Sequence, residues 1–99
     1  MPKAPDPLHQ EVTIINKLGL HARPAAQIAG IARRTRHRVW LSTTEDEADA
    51  KSTMDILMLN RPQGSKLVVR IEDDSDHHIL SDIVRLIQSG FGELDQNDQ

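Results

Sequence analysis

The chain has 99 residues, of which 37% are hydrophobic and 27% are charged, with a net charge of −3 and no cysteine. This length supports about one small domain with a single core. The charge balance argues against a nucleic-acid binder, and no apolar run approaches the roughly 20 residues that a membrane helix needs. The absence of cysteine excludes disulfides, thiol catalysis and cysteine-ligated metals, and it is compatible with a cytoplasmic location.

The two ends of the chain differ in composition from the part between them. Residues 1–10 contain three prolines and show no hydrophobic periodicity, which predicts a flexible leader. Residues 94–99 (LDQNDQ) predict a polar tail. The predicted folded domain therefore spans residues 11–93.

The first half of this domain predicts one helix and three strands. Residues 11–16 (EVTIIN) are rich in β-branched side chains, which is typical of a strand. Residues 22–34 are rich in alanine, with apolar residues at helical spacing, and predict a helix. Residues 37–43 (HRVWLST) predict a second strand, and the acidic residues 45–50 (EDEADA) predict a short edge strand.

The second half predicts two further helices around one more strand. Residues 52–59 predict a short helix that the breaker cluster at residues 60–64 (NRPQG) ends. Residues 66–72 (KLVVRIE) predict a strand, and residues 75–89 predict an amphipathic helix with Gly90 as its left-handed cap. The order β-α-β-β-α-β-α indicates an α+β fold with helices on one face of a four-stranded sheet.

The stretch GLHARPA at residues 19–25 places His21 at or next to the start of the first helix. The first amides of a helix lack internal partners, and the helix dipole adds positive potential there, so this position suits an anion such as phosphate. The same potential favours a neutral imidazole, which is a nucleophile, and the guanidinium of Arg23 suits phosphoryl oxygens. From spacing alone, a solvated turn histidine beside a surface arginine is the simpler interpretation.

A second stretch, at residues 49–55, places Ser52 at the start of the short helix, with Asp55 three residues later. This spacing predicts a capping box, which needs no further role. Ser52 is also a candidate for phosphorylation, where Lys51 would help the phosphate and Asp55 would oppose it. Met54 and Leu57 belong either to the core or to an exposed apolar surface near His21.

These stretches together resemble a known family. The segment GLHARPAAQ after a β-branched strand is similar to the active-site signature of the HPr family, the histidine phosphocarriers of the bacterial phosphoenolpyruvate-dependent phosphotransferase system. The segment DAKSTMDILML resembles the second signature of the family, and Gly64, the strand KLVVRIE and the closing helix follow in the same order. The resemblance covers about residues 11–93.

The resemblance implies an open-faced β-sandwich, with three helices packed on one side of a four-stranded antiparallel sheet. It implies a stoichiometric phosphocarrier rather than an enzyme, monomeric and cytoplasmic, with neither a metal nor a cofactor. His21 would receive a phosphoryl group on Nδ1 from phosphorylated enzyme I and pass it to enzyme IIA proteins, with Arg23 in support. Ser52 would match the serine that an ATP-dependent kinase modifies in some bacteria. The implied partner surface comprises Gln27, Thr53, Met54 and Leu57.

Two other functions remain open from the sequence. One is an HPr-like regulatory module, whose phosphorylation at His21 or Ser52 controls partner proteins rather than sugar transport. The other is a ligand-binding α+β domain with a fortuitous motif. The sequence departs from the family pattern at Asp55, where glycine is common, and this bears on Ser52 rather than on His21.

Overall fold

The computed structural model describes residues 8–93, in which four strands form one antiparallel sheet in the order β1-β4-β2-β3. The strands are β1 (His9–Thr13), β2 (Val39–Ser42), β3 (Glu47–Asp49) and β4 (Lys66–Ile71). The helices are α1 (Ala22–Ala32), α2 (Thr53–Met58) and α3 (His77–Gln88), with 3₁₀ turns at Asp74–Asp76 and Gly90–Gly92. The predicted order is confirmed. The first seven residues of the predicted leader and the whole predicted tail lie outside the described residues.

The central strand β4 shows why the sheet has one buried face. Val69 pairs with Gln10 of β1 on one side and with Leu41 of β2 on the other. Along β4, alternate residues from Leu67 onward are buried, whereas Lys66 is exposed. Successive side chains of a strand point to opposite faces of the sheet, so this period of two directs one row of apolar side chains into the core.

Both long helices bury one apolar stripe against the core. The buried residues of α1 are mostly alanine, which keeps this helix close to its support. The buried residues of α3 are larger aliphatics at helical spacing, and α3 contacts α1, β1 and β4. On the opposite face of the sheet, the guanidinium of Arg70 lies 4.3 Å from the ring centroid of Trp40. The predicted open-faced sandwich of four strands and three helices is therefore confirmed.

The boundaries of several elements differ from the predicted ones by a few residues. β1 begins at His9 rather than at residue 11, and Leu8 packs against the core. The helix predicted from residue 75 begins as a 3₁₀ turn, because the side chain of Asp73 accepts a hydrogen bond from the amide of Ser75. Within residues 8–93, no helix combines the length and the apolar composition required to cross a membrane.

The chain after α3 folds back through an unusual turn. Gly90 has a φ of 73°, as predicted for a left-handed cap, and Phe91 and Gly92 continue with φ of 60° and 75°. Phe91 is only 1% exposed, so its side chain anchors the turn in the core despite a backbone conformation that favours glycine. The turn directs the following residue, Glu93, into the interior.

Candidate functional site

His21 is the N-cap residue of α1, as the sequence predicts. Its backbone is extended, with φ −85° and ψ −173°, and its carbonyl accepts a hydrogen bond from the amide of Ala25 at 3.1 Å. The imidazole forms no capping bond to the helix. Among the described residues, the amides of Ala22 and Arg23 have no acceptor, so both N–H groups can donate hydrogen bonds to the oxygens of an anion.

A close backbone approach fixes the loop that carries His21. Gly19 has a φ of 67°, and a Cβ at this position would lie 2.4 Å from the carbonyl oxygen of Arg61 and 2.9 Å from the Cα of Pro62. The next amide, that of Leu20, donates to the same Arg61 oxygen at 3.0 Å. Only glycine allows both the positive φ and this approach, and the loop therefore meets the helix at a defined angle.

The imidazole of His21 has a buried carboxylate as its partner. Its Nε2 lies 2.6 Å from Oε2 of Glu93, whose side chain is 6% exposed against 34% for His21. An ionised carboxylate only accepts hydrogen bonds, so the Nε2–H of His21 donates in this pair. The other ring nitrogen, Nδ1, then carries the lone pair, and no described residue binds it. This tautomer leaves a nucleophilic Nδ1 on the N-cap residue of a helix whose first two amides have no acceptor among the described residues.

Glu93 is itself held by Asn16. The side-chain amide of Asn16 donates to Oε1 of Glu93 at 2.9 Å and to the carbonyl oxygen of Gly19 at 2.9 Å. Sequence reasoning missed both residues. The sequence places Asn16 only at a predicted strand end and in the turn after it, and Glu93 only in the closing segment of the predicted domain. The Gly-Phe-Gly turn signals a reversal of the chain, but nothing in the sequence indicates where the side chain beyond it points.

Arg23 lies in the first turn of α1 with its side chain exposed. Within residues 8–93, its guanidinium makes no hydrogen bond or ion pair. Its planar set of donors is therefore available for an external ligand, and its position next to the N-cap keeps it on the same helix start as His21.

A shallow cleft of about 470 Å³ adjoins His21. Of the predicted partner residues, Leu57 of α2 lines this cleft, whereas Gln27, Thr53 and Met54 do not. The other lining residues come from the segment around His21 and from the loop after α2. Met54 is 66% exposed, which decides between core and surface for that residue, and Leu57 is partly buried against the core. Two apolar residues that the sequence analysis did not single out, Leu18 and Met58, are also exposed.

The predicted capping box at Ser52 forms only in part. Its Oγ accepts a hydrogen bond from the amide of Asp55 at 3.1 Å, but its own amide donates to the carbonyl of Asp49 rather than to the Asp55 side chain. The amine of Lys51 donates to the carbonyl of Thr35 at 2.6 Å. The Lys51 amine therefore already has a partner within the fold. The exposed residue Asp55 lies within one helical turn of any group attached to Ser52.

A second histidine with a carboxylate partner lies elsewhere. Nδ1 of His37 is 2.9 Å from Oδ2 of the buried Asp76, which also accepts a hydrogen bond from Thr35. These contacts join the segment after α1 to the start of α3. Both ends of that link are satisfied within the fold, which indicates a structural role.

Comparisons with known proteins show the family of the chain. The family model described as the PTS HPr component phosphorylation site matches residues 8–89. The phosphocarrier protein HPr of Xylella fastidiosa is 35% identical over 86 residues, covering 87% of this chain and 97% of that protein. The HPr of Pseudomonas aeruginosa is 39% identical over 84 residues, covering 84% and 93%.

Solved structures give the same result. A crystal structure of HPr from Thermoanaerobacter tengcongensis has a TM-score of 0.79 at 35% identity, covering 86% of this chain and 96% of that one. An HPr crystal structure from Bacillus anthracis has a TM-score of 0.75 at 27% identity, covering 82% and 96%. The family model, the sequence relatives and the solved structures agree, and the chain belongs to the HPr family of phosphocarrier proteins of the phosphotransferase system.

Proposed function

We propose that this protein is a cytoplasmic phosphocarrier whose His21 accepts a phosphoryl group on Nδ1 from phosphorylated enzyme I and passes it to enzyme IIA proteins. The observation that carries the proposal is the contact of 2.6 Å between Nε2 of His21 and Glu93. It leaves Nδ1 without a partner among residues 8–93, beside the free amides of Ala22 and Arg23. A relay intermediate needs a nucleophile that is accessible and a product that remains transferable, and a phosphohistidine meets both needs.

The transfer moves one phosphoryl group from the donor protein to Nδ1 of His21. The lone pair of Nδ1 forms the new bond to phosphorus while the bond between phosphorus and the donor atom of enzyme I breaks, and that donor atom keeps the electron pair of the broken bond. In-line transfer of this kind depends mainly on positioning and on stabilising charge at the phosphoryl oxygens. The helix start and the guanidinium of Arg23 supply donors for those oxygens.

The surface around His21 suits docking with protein partners. Leu18 and Leu57 line the cleft beside the histidine, and Leu18 is exposed. Met54, also exposed, lies on the same short helix as Leu57. Flexible methionine side chains adapt to more than one partner, which a carrier between a donor and several acceptors requires. Gln27 and Thr53, half-buried and outside the cleft, complete the proposed partner surface at its edge.

Labelling with enzyme I and phosphoenolpyruvate tests the proposal. Intact-mass spectrometry of the wild-type protein is expected to show one added phosphoryl group that is lost on acid treatment, as expected of phosphohistidine. His21→Ala should abolish the addition. His78→Ala, which removes an exposed histidine of α3, is the matched control and should be labelled as the wild type is. Persistent labelling of His21→Ala would refute the assignment.

Ser52 is proposed as a second, regulatory phosphorylation site for a serine kinase. Its hydroxyl is half-buried at the start of α2 and already accepts a bond from the amide of Asp55. A phosphate there would meet the Asp55 carboxylate, so we expect modification of Asp55→Gly to be faster than that of the wild type. The measurement is incorporation from ATP by a serine kinase of the HPr class, with Ser52→Ala as the unlabelled control. Equal rates for both proteins would contradict the inhibitory role of Asp55.

A further inference from the structure

Asn16 is a fully buried polar residue whose role the proposed phosphotransfer does not yet explain. Its exposed fraction is 0%, and it follows β1 at the start of the loop that leads to His21. Both of its side-chain hydrogen bonds use the amide nitrogen, to the carbonyl of Gly19 and to the carboxylate of Glu93. Its amide oxygen is buried without a partner in the described structure.

The neighbours of Asn16 determine the orientation of its amide group. Both the Gly19 carbonyl and the Glu93 carboxylate are acceptors, so the NH₂ group must face them. The reversed orientation would direct the amide oxygen of Asn16 at two other oxygens. The fold thus tolerates one unpaired buried oxygen in order to place two donors. A residue that only filled space would not need this arrangement, because an apolar side chain of similar size leaves no unpaired polar atom.

Asn16 supplies the second donor to a carboxylate that is almost completely buried. Glu93 is 5% exposed, and its two oxygens bind one donor each, His21 at Oε2 and Asn16 at Oε1. Without Asn16, the carboxylate would keep only the imidazole as a partner and would be free to rotate about its last torsion angle. The Asn16 contact thus orients the carboxylate plane toward the imidazole, as outer residues orient the carboxylate partner of a functional histidine.

We propose that Asn16 is a positioning residue for phosphoryl transfer, acting through Glu93 to hold the proton of His21 on Nε2 and leave the lone pair on Nδ1. This inference rests on the proposed function of His21. When Nδ1 forms its bond to phosphorus and the donor atom leaves with the electron pair of the broken bond, the proton stays on Nε2 and the imidazole ring gains a positive charge. The carboxylate of Glu93, held by Asn16, offsets that charge at the ring nitrogen opposite the phosphoryl group.

The first measurement uses the unphosphorylated full-length protein. Nitrogen-15 NMR of the imidazole distinguishes the two neutral tautomers, and the wild type is expected to hold its proton mainly on Nε2. Asn16→Leu replaces the amide with an apolar group of similar size, and the His21 signals should shift toward the average for a mixture of tautomers. Asn16→Ser keeps one hydrogen-bond donor, and its His21 signals should lie between those of the wild type and those of Asn16→Leu. If Asn16→Leu fails to fold, Asn16→Ala is measured in its place.

The second measurement is the initial rate of labelling by phosphorylated enzyme I. Asn16→Leu is expected to be about tenfold slower than the wild type, which corresponds to about 1.4 kcal/mol. Val69→Ala is the control for stability alone, since it opens the core on β4 and should leave both the NMR signals and the rate near those of the wild type. In the double variant with Glu93→Ala, the Asn16 substitution should add little further slowing, because it acts through Glu93.

Two outcomes separate this inference from the function on which it rests. An Asn16→Leu protein that is less stable but keeps the wild-type tautomer balance and labelling rate would overturn the positioning role. A wild-type protein that holds its proton on Nε2 yet accepts no phosphoryl group would instead overturn the proposed function.

Discussion

The Nε2 of His21 lies 2.6 Å from Oε2 of Glu93, across a separation of 72 residues in the chain. This contact joins the start of α1 to the turn after α3, the first and last helices of the fold. It makes the tautomer of His21 depend on the end of the domain as well as on the local sequence around the histidine. The predicted effects of substitution at Glu93 follow from this relationship.

Glu93→Ala should slow acceptance of the phosphoryl group by His21 about tenfold. A hydrogen bond to a charged group contributes about 1.5–3 kcal/mol, and the partial exposure of His21 places the effect near the lower end. The measurement is the initial rate of labelling by phosphorylated enzyme I. Glu45→Ala, which removes an exposed carboxylate of the loop before β3, is the control. A wild-type rate for Glu93→Ala would show that the contact has no role in transfer.

Arg23→Ala should also slow labelling about tenfold without lowering stability. The guanidinium is exposed and makes no hydrogen bond or ion pair within residues 8–93, so its removal should cost the folded state little. During transfer it can donate two hydrogen bonds to phosphoryl oxygens, each assisted by charge. Arg23→Lys keeps the charge but not the planar pair of donors, and its rate should fall between the other two.

Initial rates and urea midpoints, measured on the same preparations, check this expectation. The control is Arg36→Ala, which removes another exposed arginine in the segment that follows α1. It should match the wild type in both measurements. A lower urea midpoint for Arg23→Ala would contradict the view that this side chain serves only an external ligand.

Substitution of two glycines by alanine should change the free energy of unfolding in opposite directions. Gly19→Ala should lower the free energy of unfolding by about 3 kcal/mol, because a left-handed non-glycine residue costs about 1–2 kcal/mol and the close contact adds about as much. Gly30 is an exposed position of α1, where a Cβ would meet no atom within 4 Å outside the neighbouring backbone of its own helix. Gly30→Ala should therefore raise the free energy of unfolding by about 1 kcal/mol. Urea titrations at constant m-value measure both, and a tolerated Gly19→Ala would contradict the close approach to Arg61.

The sequence predicts the part of the site that local structure determines. The N-cap position of His21 follows from a strand, a short turn and an alanine-rich helix within about 25 residues, and the capping bond of Ser52 follows from its spacing to Asp55. Helix starts are predictable from local sequence because residues close in the chain accept hydrogen bonds from the first amides of the helix. The same applies to the left-handed Gly90.

The remainder of the site depends on tertiary contacts that no local pattern indicates. Asn16 and Glu93 meet across 77 residues, and their contact requires three successive residues of positive φ at Gly90–Gly92. Leu18 and Met58 are apolar and would be assigned to a core on composition alone, yet both are exposed, and Leu18 lines the cleft beside His21. An exposed apolar side chain is informative only once the surrounding surface is known.

Asp82→Asn should slightly lower the free energy of unfolding at neutral pH. It should have no effect at a pH below the folded-state pKa of Asp82. The guanidinium groups of Arg34 and Arg85 bind the Asp82 carboxylate and hold its pKa below the ordinary value of 3.8. Because the pKa is lower in the folded than in the unfolded state, the stabilisation is complete above about pH 3.8 and is lost as the pH falls through the folded-state pKa. The difference in unfolding midpoint between wild type and variant should therefore be largest above about pH 3.8 and should disappear as the pH falls.

The same difference in unfolding midpoint should also shrink in high salt, since these side chains are exposed to solvent. Asp74→Asn, at an exposed aspartate without an ion pair in residues 8–93, should show no such dependence, and a difference that grew in acid would contradict the assignment.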